Sequence, residues 1–191
     1  MTISLKFATP ACWVETVLAD FDSFLVDHAA AEKKASGMAM SMLSHYPDKP
    51  DIVRAMIDLG IEELTHFREV VKILAARGLR LGPDKKDPYV NALRLHARKG
   101  SREYLLDRLL LGAIIETRGC ERFGLVADAL PPGELKTFYQ IITRSENKHG
   151  ELFIDLGKLY FNESQIEQRL EDLLLEEAGI VESLPITAAL H

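Results

Sequence analysis

Glutamate and histidine recur in this chain at a spacing that can hold metal. Glu-x-x-His occurs twice, at Glu63–His66 and Glu146–His149, and a lone glutamate precedes each copy, Glu32 by 31 positions and Glu116 by 30. On a helix, residues i and i+3 share a face, so each motif can offer a carboxylate that bridges two cations and an imidazole that ends on one of them. One glutamate from each of two helices, with Glu-x-x-His from each of two others, is the ligand set of carboxylate-bridged di-iron and di-manganese centres. Glu63 and Glu146 are expected to bridge, Glu32 and Glu116 to bind terminally, and His66 and His149 to give each metal one nitrogen. Oxygen-rich donors with a single imidazole apiece favour iron or manganese over thiolate-seeking metals. Iron is the better match to oxygen chemistry.

The elements that must position these residues are legible around them. Ile52, Met56, Leu59, Glu63, His66, Val70 and Ile73 follow at steps of four and three, as do Leu135, Tyr139, Ile142, Glu146, His149, Phe153, Leu156 and Tyr160. These are apolar stripes of core-facing helices with a Glu and a His set into their middle. Glu32 lies in a stripe with Phe21, Leu25, His28, Ala35, Ala39 and Met42, and Glu116 in one with Leu105, Leu109, Gly112, Gly119, Phe123 and Val126. Each buried, uncompensated carboxylate costs roughly several kcal/mol, more than a marginally stable domain can absorb four times over. Bound cations are the simplest compensation. Small residues crowd the terminal ligands: Ala29, Ala35 and Ser36 near Glu32, and Gly112, Ala113, Gly119 and Cys120 near Glu116. They either leave volume for dioxygen and substrate or permit close helix packing.

With 191 residues, 47% of them hydrophobic, the chain can bury one continuous core. A net charge of −6 argues by itself against nucleic acid. Cys12 and Cys120 form no C-x-x-C, so neither a disulfide framework nor a thiolate metal site is expected. No signal peptide is evident, and the longest apolar run, Leu109 to Ile115, is too short to span a membrane. A cytoplasmic setting is expected.

Helices are predicted at about 14–45, 50–77, 88–98, 102–129, 133–160 and 163–178, broken by Pro47 and Pro50, by Gly78 to Pro88, by Gly100–Ser101 and by Pro131–Pro132–Gly133. Residues from Ala178 to His191 read as an irregular tail. Two helical hairpins joined by one long crossover make an all-α, ferritin-like four-helix bundle in a single domain.

The segments Glu32-Lys33-Lys34-Ala35-Ser36, Glu62-Glu63-Leu64-Thr65-His66, Ile115-Glu116-Thr117-Arg118 and Ser145-Glu146-Asn147-Lys148-His149 carry a closer likeness. With the length and the four helices, they resemble the bacterial tRNA 2-methylthio-N6-isopentenyl-adenosine hydroxylase family over about residues 10 to 175. The resemblance implies a di-iron monooxygenase that uses O2 to hydroxylate the isopentenyl group of a hypermodified adenosine beside the tRNA anticodon. It also implies a separate electron-donor protein, since no dinucleotide fingerprint is present. Carboxylate-bridged monooxygenases often place an acid before each bridging Glu; Glu62 fits as an orienter of a histidine, whereas Ser145 departs from that pattern.

One feature independent of the resemblance supports RNA. Residues 77–102 hold eight basic residues against Asp84 and Asp87, a net of +6, which leaves −12 for the rest. Such segregation suits phosphate contact, and Arg94, Arg98, Lys99 and Arg102 are the expected tRNA-binding residues; a solvated connection is the bland alternative. Other readings stay open at this point: a ferroxidase or iron-storage protein, a quinone or lipid hydroxylase, a peroxide-reducing or catalase-type di-metal protein, and a metal-free helical adaptor.

Overall fold

The computed structural model describes residues 3–191, and among these every regular element is a helix. There are seven: α1 (Ala11–Ala19), α2 (Phe21–His45), α3 (Pro50–Ala76), α4 (Pro88–Leu95), α5 (Ser101–Ala129), α6 (Glu134–Tyr160) and α7 (Glu163–Ser183). The chain divides into two compact units. One holds Glu15–Lys85 with Thr187–Leu190; the other holds the N-terminal stretch to Val14, Lys86–Ile186 and His191.

The first unit is the hairpin of α2 and α3. Its turn is short, and Pro50 opens α3 at a position where the missing N–H costs nothing. The pair is antiparallel: near the turn Ser36 Oγ donates to the Gly60 carbonyl (3.1 Å), and at the far end Arg77 reaches Asp22 (2.6 Å). The sequence predicts one helix from about 14 to 45. Instead the chain breaks at Asp20, whose carboxylate accepts from the Ser23 amide (3.3 Å) and caps α2.

The second unit is the hairpin of α5 and α6, with α4 and α7 packed on it. Gly112 faces Phe153 at one level, and Cys120 Sγ donates to the Thr143 carbonyl (3.3 Å) nearer the turn. Lys136 Nζ donates to the carbonyls of Ala127 (2.7 Å) and Leu130 (3.1 Å), holding the last carbonyls of α5 where a cation is favoured.

α5 is apolar on more than its predicted stripe. Leu106, Leu110, Ala113 and Ile114 are buried as well, and α7 also packs on α5. α7 opens with a capping box at Asn162 and Gln165 and runs to Ser183, so the irregular tail is shorter than the sequence suggests and begins at Leu184. Its inner face carries Ile166, Leu170, Leu173, Leu174, Glu177 and Val181.

Candidate metal centre

In the first unit, α2 contributes Glu32 and α3 contributes Glu63 and His66; Glu32 and Glu63 are 3% and 1% exposed. Each of the three offers a donor atom within 4.8 Å of the others. His66 Nδ1 lies 3.6 Å from Glu32 Oε2 and 3.8 Å from Glu63 Oε2. Burial works against a charged imidazole here, but Glu32 and Glu63 outweigh it and raise the His66 pKa to about 10. For Glu32, burial opposes ionisation, and hydrogen bonds from His28 and His66 hold its carboxyl far below the usual range nonetheless.

The second unit repeats the arrangement. α5 contributes Glu116, and α6 contributes Glu146 and His149, all buried and again with donor atoms within 4.8 Å of one another. His149 Nδ1 lies 3.8 Å from Glu146 Oε1, the separation found in the other motif. Two carboxylates and one imidazole recur in each hairpin, hard donors suited to iron or manganese. Each unit therefore carries a buried carboxylate and histidine cluster of metal-ligand type.

The six ligand-type residues expected from spacing are all buried, and each hairpin brings its own three together. Glu62, expected to orient a histidine, is exposed on α3. The sequence reading missed His28 as a partner. It is fully buried, and its Nε2 hydrogen-bonds Glu32 Oε1 at 2.5 Å. Its position one turn before Glu32, on the same stripe, was the available signal. At the equivalent place in the second unit stands Gly112, where an added Cβ would lie 3.0 Å from the Phe153 ring. Close packing, not spare volume, accounts for that glycine, and Ser36 likewise serves the hairpin through its bond to Gly60. Only at Gly119 would an added Cβ meet Glu146 at an ordinary 3.9 Å.

Of the four residues expected to bind tRNA, all are exposed, but two are tied to the fold. Arg98 makes a two-pronged ion pair with Asp107, at 2.7 and 3.0 Å, and its own amide donates to the same carboxylate at 2.8 Å. Arg102 donates to the Tyr160 carbonyl (3.0 Å) and lies 4.9 Å from the centroid of the Phe161 ring. Arg94 and Lys99 extend from the same connection. Within the basic segment, Arg77 is also engaged by Asp22.

A model of the tRNA-(MS2IO6A)-hydroxylase family (MiaE) matches residues 1–191. The chain belongs to this family. A protein of Pseudomonas putida named tRNA 2-(methylsulfanyl)-N(6)-isopentenyladenosine(37) hydroxylase is 34% identical over 92% of this chain and 85% of its own length. A protein of the same name from Salmonella typhimurium is 32% identical over 69% of this chain and 48% of its own. Among solved structures, one described as Protein 43 with aldehyde deformylating oxygenase activity from Synechococcus matches with a TM-score of 0.94. It is 33% identical, covering 100% of this chain and 96% of that one. The all-α, ferritin-like class expected from the sequence holds. No helix among the described residues is long and apolar enough to cross a membrane.

Proposed function

We propose that this member of the family is an O2-dependent di-iron monooxygenase that hydroxylates the isopentenyl group of the hypermodified adenosine beside the tRNA anticodon. The observation that carries the reading is the duplicated donor triplet. Glu63 and Glu146 would bridge, Glu32 and Glu116 would bind terminally, and His66 and His149 would supply one nitrogen each. Iron held there supplies the oxidising power when O2 and electrons arrive.

The chain's own residues hold and shield. Burial of all six ligands keeps water from the reacting centre, and His28 fixes the Glu32 carboxylate through Nε2. Electrons would come from a separate protein, in the cytoplasm where tRNA resides. Arg94 and Lys99 would meet the RNA backbone. A storage role fits less well, because a family that acts on tRNA gives the basic connection a purpose that iron storage does not.

The test is mass spectrometry of tRNA nucleosides from aerobically grown cells that carry the gene, lack it, or express Glu116→Ala. We expect the hydroxylated isopentenyl nucleoside only with the intact gene, and its unhydroxylated precursor in the other two. Three identical profiles would overturn the tRNA reading. Oxygen-dependent turnover of an aldehyde by the purified protein would then favour the activity named for the Synechococcus protein.

A further inference from the structure

In the second unit an open pocket of about 320 Å³ lies between the start of α5 and the first turns of α7. Its walls are charged on both signs. Arg98, Arg102 and Arg169 line it together with Glu103 and Asp172, and Gln168 adds an amide. Behind them Asp107, fully buried, binds Arg98 and also Arg169 through Nε and Nη2 at 2.9 Å each; Arg169 Nη2 further donates to the His96 carbonyl at 2.7 Å.

Three guanidinium groups are therefore fixed in place before anything binds. Charge decides what they suit. Three arginines face three carboxylates, so the pocket is formally neutral and its acidic walls disfavour a phosphate. A nucleobase is neutral and presents donors and acceptors on one edge. Unpaired bases in RNA loops are recognised by stacking on arginine planes and aromatic rings and by hydrogen bonds to that edge. Arg102, held on Phe161 and the Tyr160 carbonyl, offers such a plane, and Gln168 and Asp172 offer edge partners. Exposed Arg94 and Lys99 in the adjoining connection can take the flanking phosphates, and Leu95 beside them is 85% exposed.

We propose that this pocket receives an unpaired base of the anticodon loop other than the one being hydroxylated, and so selects the tRNA. The proposal rests on the tRNA reading above. Its test uses synthetic anticodon stem-loops made abasic at one loop position at a time, with binding measured by fluorescence anisotropy on the whole protein and on Gln168→Ala. Gln168 is exposed and its replacement leaves the Asp107 cluster intact. For the unaltered protein we expect one abasic position, outside the target nucleotide, to weaken binding about tenfold or more, the scale of one good base contact. Gln168→Ala should bind the intact loop more weakly and lose clearly less than the parent with that abasic RNA, because one of the base's contacts is already gone; Asp172→Asn should behave alike.

Losses that multiply independently would overturn the proposal, as would the absence of any sensitive position. A weaker Gln168→Ala complex with a shallower salt dependence and no abasic coupling would assign the pocket to phosphate instead. Failure of the unaltered protein to bind any stem-loop would remove the tRNA reading along with it.

Discussion

At the scale of single residues, the two buried Glu and His clusters were readable because the chemistry expected of them constrains them twice. Glu and His had to sit three apart on a helix, and they had to interrupt an apolar stripe. His28 satisfied the second condition only, and a buried histidine on a seam has many uses, so its bond to Glu32 needed coordinates. That bond makes a prediction. Partners that orient a metal ligand are typically worth about 10- to 100-fold in affinity, so His28→Leu should leave the helices intact by circular dichroism while weakening iron binding by a factor in that range. Iron competition with a chelator measures it; unchanged affinity would mean that His28 only fills the core. Glu62, next to Glu63 in the sequence and so about 100° round the helix from it, is exposed on α3.

At the scale of elements, the four long helices could be placed from stripes and breakers to within a few residues, but three features could not. The break at Asp20 depends on a local cap that competes with continuous helical periodicity. α7 runs on to Ser183, and its inner face carries a buried Glu177 where an acid is expected to face water. Glu177 is instead held by Arg118, itself fully buried, at 2.8 and 3.0 Å, with Tyr89 Oη at 3.1 Å. Arg118 also donates to the Phe7 carbonyl (2.8 Å), which fastens the N-terminal segment to α5.

The third feature is Asp107. Burial alone would raise its carboxyl, yet Arg98 and Arg169 outweigh that effect and hold it below the ordinary aspartate value of 3.8. An acid with a depressed folded-state pKa stabilises the fold fully above its ordinary value, and the contribution fades as pH falls through the lower folded value. Removing one partner of such a buried cluster costs about 3–5 kcal/mol. Asp107→Asn should therefore lower the midpoint of urea unfolding at neutral pH, and its stability should decline less steeply than that of the parent below about pH 4. Parallel acid limbs for the two proteins would show that Asp107 is not the group being titrated.

At the scale of the whole molecule, composition pointed away from nucleic acid while charge order pointed toward it, and the family match resolves the conflict. The sequence could count basic residues but could not tell which were committed: Arg77 and Arg98 are paired with acids, and Arg102 is held by a carbonyl and a ring. The double reversal of Arg94 and Lys99 to Glu should weaken binding of the anticodon stem-loop without loss of thermal stability. It should also reduce the salt dependence by roughly 0.7–0.9 for each phosphate contact removed. Reversal at Arg98 should unfold the protein more readily before it says anything about RNA. If Arg94 and Lys99 reversals leave the salt dependence unchanged, the backbone is met elsewhere.

The two hairpins repeat the same ligand spacing, but their braces differ: His28 grips the terminal carboxylate of one, and glycine stands at the matching turn of the other. Two irons held as proposed by a duplicated scaffold with an unequal brace should be distinguishable. Mössbauer spectra of the loaded protein should resolve two quadrupole doublets of equal area, and His28→Leu should draw them together. Of the two acids, Glu32 would be the one held in place by a histidine as substrate arrives.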